Sequence, residues 1–230
     1  MTTVQTPRVA SGDVLASLRA MRIVPVIVID DAGHAVPLGT ALLEGGLPCA
    51  EVTFRTPNAA DAIARIAGEL PGLLVGAGTV LTPQQAARAL DVGAKFIVAP
   101  GFNPAVVDYC LERAIPVYPG VCTPTEIEMA LAKGLQVLKF FPAEAAGGLA
   151  FLKAVAAPYT GVDFMPTGGI NLGNLATYLA FKRVVACGGS WMAPTEWIAM
   201  KQFDRIRAET EKAVRLVREL TAGAGFAGGG

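Results

Sequence analysis

Val137-Leu138-Lys139-Phe140-Phe141-Pro142 places one lysine inside an otherwise apolar run that a proline closes. An apolar run of about 4 to 7 residues is the size of a buried strand. Similar runs begin near Ile23, Ala50, Leu73, Phe96, Val117, Asp163 and Val184, spaced by roughly 20 to 27 residues. Between them lie segments with apolar residues every three or four positions: Leu38 to Leu43, Ala59 to Ile66, Gln84 to Leu90, Ala105 to Leu111 and Thr125 to Ala132. Thr82-Pro83 and Thr123-Pro124 each set a capping hydroxyl before a proline suited to a first helical turn. Glu126, three residues after Thr123, completes a capping box. Gly93 and Gly134 stand where two of the helices must stop.

Strands alternating with helices pair in parallel through right-handed crossovers. The chain is therefore α/β, and eight such units either close into a barrel or open into a doubly wound sheet. Even spacing and the count of eight favour a (β/α)8 TIM barrel. No GxGxxG follows the first strand, which removes the main signature of the dinucleotide-binding alternative. A helix over Asp13 to Ala20 precedes the first strand, and Phe203 to Leu220 reads as the last helix. The expectation is one domain over residues 1–221, with a flexible Gly-rich tail over 222–230.

Composition removes several classes of function. Lys and Arg together number 19, as do Asp and Glu, so nothing electrostatic points to nucleic acid or an acidic membrane. No apolar run approaches the roughly 20 residues that span a bilayer, and Met1 to Ala10 lacks the apolar centre of a signal peptide. The expected setting is cytoplasmic. Cys49, Cys110, Cys122 and Cys187 form no CxxC pair, which argues against a disulfide framework or structural zinc. His34 is the one histidine, so a Ser-His-Asp triad or a histidine-rich metal site has almost no material.

In barrels, function gathers where strands end and the following loops begin. The polar residues obey that rule: Glu51-Val52-Thr53-Phe54-Arg55-Thr56, Gly76-Ala77-Gly78-Thr79, Ala99-Pro100-Gly101, Pro166-Thr167-Gly168-Gly169 and Gly188-Gly189-Ser190 all close strands. Of seven lysines, Lys95 and Lys182 also border strands, but both precede their apolar runs and belong at the opposite, solvent-reached face. Lys139 lies late within its strand. Taking an ammonium out of water disfavours its charged form and releases the neutral amine, which attacks carbonyls to form Schiff bases. The alternative is a permanent buried ion pair.

Glu51 is the natural partner, a carboxylate in a strand otherwise made of Ala50, Val52 and Phe54. A proton-shuttling role and an ion-pair role are both open to it. Arg55, just past the strand, suits bidentate capture of a substrate carboxylate, or else a surface salt bridge. Gly168-Gly169 and Gly188-Gly189 with Ser190 end the seventh and eighth strands, where barrels commonly bind phosphate through backbone N–H groups. Tight turns without a ligand are the plainer reading.

With Val24-Pro25-Val26-Ile27, Glu51 to Thr56, Gly76 to Val80, Pro100-Gly101, Lys139 to Glu144, Pro166 to Ile170 and Gly188 to Trp191, the sequence closely resembles the bacterial 2-keto-3-deoxy-6-phosphogluconate (KDPG) aldolases, a family that also cleaves 4-hydroxy-2-oxoglutarate (KHG). The resemblance runs from about Ile23 to Pro194. It implies a class I (Schiff-base) aldolase with Lys139 as the imine-forming lysine and Glu51 as general acid/base acting through a water. It further implies that Arg55 and Thr79 hold the pyruvyl carboxylate and Pro100 lines that pocket. Thr167 falls near the substrate hydroxyls, and Gly168, Gly169, Gly189 and Ser190 fall at phosphate-binding positions. A homotrimer without metal or cofactor, acting on a phosphorylated keto acid of the Entner-Doudoroff pathway, is what the family implies. Phe54 replaces a frequent leucine and Cys49-Ala50 a more aliphatic lead-in; neither touches the proposed chemistry.

Three rival readings remain at this point. A metal-dependent pyruvate aldolase would use Glu51 as a ligand and lose activity to a chelator. A phosphosugar isomerase or synthase would share the barrel and the phosphate site but leave Lys139 unexplained. A non-catalytic binder or scaffold has no use for a desolvated amine.

Overall fold

Strands that are apolar on both faces need cover on both sides, and this chain supplies it by alternating short strands with amphipathic helices. In the computed structural model, residues 14–226 are described, with side chains through Ala222. The elements in chain order are α1 (Val14–Met21), β1 (Ile23–Ile27), a 3-10 turn (Ala32–His34), α2 (Ala35–Glu44), β2 (Cys49–Thr53), α3 (Ala59–Glu69) and β3 (Leu74–Gly78). They continue with α4 (Pro83–Asp91), β4 (Ile97–Val98), α5 (Pro104–Leu111), β5 (Val117–Tyr118), β6 (Gly120–Val121), α6 (Pro124–Ala132) and β7 (Val137–Phe140). The last are α7 (Gly148–Ala156), β8 (Asp163–Pro166), α8 (Leu172–Leu179), β9 (Cys187–Gly189), α9 (Thr195–Ala199) and α10 (Phe203–Phe226).

Every ladder is parallel, in the orders β5-β4-β3-β2-β1-β9 and β6-β7-β8. β5 and β6 are two ends of one strand interrupted at Pro119, which has no N–H to give but whose carbonyl accepts from Lys139 N at 3.0 Å. Two isolated parallel bridges, Phe164 to Val184 and Thr167 to Gly188, carry β8 toward β9. The result is a curled parallel α/β sheet with helices outside it.

Alternation along each strand sorts the side chains. Val24, Cys49, Leu74, Phe96, Val98, Tyr118, Val137 and Met165 form one cluster inside the curl, joined by Val14 and Leu18 of α1. The alternate residues, such as Val52, Val75 and Ile97, or Leu138, Phe140 and Phe164, pack outward against the helices. α1 thus floors the curl. The Arg19–Asp163 ion pair at 2.7 Å ties α1 to the start of β8.

The helix caps read from sequence are present. Thr82 Oγ1 accepts from Gln85 N at 3.2 Å, and the Glu126 carboxylate accepts from Thr123 N at 2.8 Å. Gly93 and Gly134 take positive φ after their helices. Four elements differ from expectation. The eighth strand has its ladder at Cys187–Gly189, with Val184 only a bridge. α10 does not stop at Leu220: it continues to Phe226, so the first part of the expected flexible tail is helical, and residues 227–230 lie outside the described residues. α7 and α8 are helices beyond those the apolar spacing names, and each begins at glycine: Gly147-Gly148 at the start of α7 and Gly173 in the first turn of α8.

Candidate active site

Strand alternation decides which way Glu51 and Lys139 face. Cys49 of β2 and Val137 of β7 point into the curl, so Glu51 and Lys139, two residues on, point there as well, one layer nearer the strand C-termini. Their side chains are only 4% and 6% exposed, and Lys139 Nζ lies 3.7 Å from Glu51 Oε1. Space for the carboxylate comes from the neighbouring strand. Gly78, the register partner of Thr53, faces Glu51 so closely that a Cβ there would sit 2.1 Å from Oε1. One layer below, Gly76 gives the same room to the Phe96 ring. On the far side, Gly188 clears space for Thr167 Oγ1, which a Cβ would meet at 2.4 Å.

The 3.7 Å separation is an ion pair but not a hydrogen bond, and Glu51 Oε1 accepts no hydrogen bond from the protein. A buried carboxylate oxygen in that state costs at least about 1–3 kcal/mol. A fold selected for stability alone would pair it. Lys139 Nζ also lies 5.2 Å from the centre of the Phe141 ring. Below the pair is a cavity of about 10 Å³ bounded by Leu18, Val24, Phe96, Val98, Tyr118 and Met165, with Thr167 and Gly188 at its upper edge. That is room for about one water.

Thr167 and Phe141 connect the pair to a larger opening. Arg55, Phe141, Thr167, Gly168, Gly169, Gly189 and Ser190 line a cleft of about 310 Å³, with Val26, Val28 and Ile170 among its apolar walls. Gly168 (φ +99°) and Gly169 (φ +81°) adopt backbone that favours glycine. The turn's carbonyls are all tied back into the protein. Thr167 O accepts from Ala143 N at 2.8 Å and Gly168 O from Glu144 N at 3.0 Å. Gly169 O accepts from the side-chain amides of Asn171 and Asn174, at 3.2 and 3.1 Å. The N–H groups of Gly169 and Ile170 donate to no described residue, which leaves successive amide donors beside the cleft. An anion is the ligand such a run suits.

The remaining expected residues fall around this centre. Arg55 is exposed on the cleft wall and makes no ion pair among the described residues. Thr79 follows Gly78 directly and has φ +54°, a strained state for a β-branched residue and one that no sequence pattern announced. Pro100 does not line the cleft. Its carbonyl packs on Gly120, the register partner of Lys139. Phe141 is the residue that sequence reasoning left without a role, although it stands in the quoted lysine run.

Other nucleophiles are poorly placed. Burial pushes the Cys110 thiol up to about 11 and the Cys187 thiol up to about 12, and raises Cys49 further. These thiols stay protonated near neutral pH. Among the described residues, no group of three or more His, Cys, Asp or Glu side chains could hold a metal ion. No described helix is long and apolar enough to cross a membrane.

A family model described as KDPG and KHG aldolase matches residues 14–209. The chain belongs to that aldolase family. A 2-dehydro-3-deoxy-phosphogluconate aldolase of Treponema pallidum (strain Nichols) is 50% identical over 204 residues, covering 89% of this chain and 97% of that protein. The KHG/KDPG aldolase of Escherichia coli (strain K12) is 45% identical over 202 residues, covering 88% and 92%. Among solved structures, a KDPG aldolase from Legionella pneumophila, with pyruvate captured at low pH as a covalent carbinolamine intermediate, superposes with a TM-score of 0.83. It is 39% identical, over 86% of this chain and 96% of that one. In this aldolase, Lys139 is the one buried lysine among the described residues, and it faces a buried carboxylate.

Proposed function

We propose that the chain is a class I aldolase that cleaves 2-dehydro-3-deoxy-6-phosphogluconate to pyruvate and D-glyceraldehyde 3-phosphate, and 4-hydroxy-2-oxoglutarate to pyruvate and glyoxylate. The observation that carries this reading is the buried Lys139–Glu51 pair, ionic but not hydrogen-bonded, at the strand C-termini. Lys139 passes its ammonium proton to Glu51, and the freed amine adds to the C2 ketone; the carbinolamine hydroxyl then takes a proton from Glu51 and leaves as water, giving a protonated imine. The Legionella relative's pyruvate carbinolamine is the kind of adduct that an amine and that ketone form. The iminium then takes up the electron pair of the C3–C4 bond while Glu51, through a water, removes the C4 hydroxyl proton. The aldehyde leaves. Protonation of the enamine at C3 and hydrolysis of the imine release pyruvate and restore the amine.

Arg55 and Thr79 hold the pyruvyl carboxylate in this reading. Thr167 meets the substrate hydroxyls, and the Gly168–Gly169 turn, with Gly189 and Ser190, receives the phosphate. What supports the last assignment is the shared cleft and the run of donors without protein acceptors. The same reading includes a closed eightfold barrel in a single domain, supported by the bridges from β8 to β9 and the pairing of β9 with β1. A cytoplasmic homotrimer serving the Entner-Doudoroff pathway rests on family membership alone.

Borohydride reduction in the presence of pyruvate, followed by peptide mapping, tests the mechanism. A reduced pyruvyl adduct on the Lys139 peptide is expected. No adduct on any peptide, together with activity abolished by a chelator, overturns it in favour of a metal-dependent aldolase.

A further inference from the structure

Glu144 stands two residues past Pro142 and has no part in the chemistry above. Its backbone N–H donates to Gly168 O at 3.0 Å, and its side chain underlies the glycine turn: a Cβ on Gly169 would sit 2.6 Å from Glu144 Cβ and Cγ. The carboxylate continues between Gly148 and the turn to accept a hydrogen bond from the Tyr178 hydroxyl of α8. Tyr178 is buried, and burial, together with the bond to Glu144, raises its phenol and keeps it a donor. From the other side Asn174, also on α8, holds Gly169 O at 3.1 Å and accepts from Asn171 N at 2.9 Å. One helix thus grips the turn at two points. The turn cannot rotate its carbonyls into the cleft while Glu144 fills the space behind it.

We propose that Glu144, fixed by Tyr178 and assisted by Asn174, is a positioning residue that aims the amide donors of the Gly168–Gly169 turn and so sets the preference for phosphorylated over non-phosphorylated substrate. The inference rests on the aldolase reading and deepens it. The geometry of the two substrates makes the effect selective. 4-Hydroxy-2-oxoglutarate ends at the carbon next to C4, whereas the phosphate of the longer substrate lies two carbons and an oxygen beyond C4. In this reading the turn is engaged by the phosphate, which the shorter substrate lacks. A displaced turn therefore weakens capture of the longer substrate and leaves the chemistry at Lys139 in place.

The test compares KM and kcat for both substrates in Tyr178→Phe, Glu144→Ala, Glu144→Gln and Asn174→Ala. Tyr178→Phe and Glu144→Ala should raise KM for the phosphorylated substrate by about tenfold, the equivalent of one lost hydrogen bond. 4-Hydroxy-2-oxoglutarate should be cleaved as before. Glu144→Gln, which keeps an acceptor for Tyr178, should lie close to the parent. Asn174→Ala leaves the buried pair intact and should show the same selective loss, so the proposal stays testable if a buried variant fails to fold. Equal losses for both substrates, or an unchanged KM ratio in Asn174→Ala, would overturn it. Pyruvate and borohydride applied to the parent protein separate the two readings. An adduct on Lys139 with no selective loss removes only the role of Glu144, while no adduct removes the Schiff-base reading beneath it.

Discussion

The two ends of the sheet interior are built on opposite terms. At the floor, Leu18 of α1 joins Val24, Phe96, Val98, Tyr118 and Met165, all apolar or aromatic and all buried, around the small cavity beneath the pair. At the mouth, β2 and β7 carry Glu51 and Lys139, and beside them are an unbonded carboxylate oxygen, a strained Thr79 and glycines that leave room for other residues' side chains. Floor contacts stabilise the fold. Mouth groups are held in positions that lower stability, which the apolar burial at the floor and in the helix layers offsets.

The comparison can be broken most decisively at Lys139. Lys139→Ala should reduce kcat/KM by more than about a thousandfold and abolish the borohydride adduct, since no other buried amine is present among the described residues. Near-parental cleavage by that protein would end the assignment. Glu51→Gln should reduce kcat by about a hundredfold to ten-thousandfold, measured by pyruvate release, as removal of a general acid/base commonly does. At the floor, Leu18→Ala should cost about 2–5 kcal/mol in denaturant unfolding by enlarging the cavity beneath the pair, while kcat stays close to the parent because the truncation removes no reacting group. Equal damage to activity would mean that the two ends are mechanically coupled.

A double variant sharpens the contrast. Lys139→Met with Glu51→Gln removes both buried charges, and its melting temperature should equal or exceed the parent's although activity is gone. The smallest effect is expected at the rim, where Glu126 receives N–H groups from Cys122 and Thr123. Burial alone would raise its carboxyl, but hydrogen bonds from the Cys122 and Thr123 backbone and the Thr123 hydroxyl outweigh it and hold the group below the ordinary glutamate range. A depressed carboxyl stabilises the fold above its unfolded value, and that contribution is lost as pH falls through the folded one. The advantage of the parent over Glu126→Gln should therefore be full near neutrality, below about 1 kcal/mol, and should vanish under acid conditions in pH-dependent unfolding.

Several features of this site could be read without coordinates. The lysine run, the polar strand ends and the glycine pairs are local patterns, and each falls at the mouth. Thr79 was legible as a strand-end residue but its positive φ was not, since backbone strain leaves no periodicity. Phe141 was visible beside Lys139, yet its place on the cleft wall depends on how the chain turns after β7. The final helix was cut short at Leu220 because Ala222-Gly223-Ala224-Gly225 resembles a linker in composition, while the chain there continues helically.

What the sequence determined by itself was the alternation of strand and helix, the helix caps and the end of the sheet at which chemistry gathers. Those follow from hydrophobic periodicity and from hydrogen bonds within a few residues, both of which are written along the chain. Only the tertiary structure decided that Glu51 and Lys139 meet, that Gly78 makes room for one and Gly188 for Thr167, and that Glu144 backs the glycine turn. Those contacts join strands far apart in sequence. Sheet register and curl bring them together, and neither is encoded in the period of any single segment.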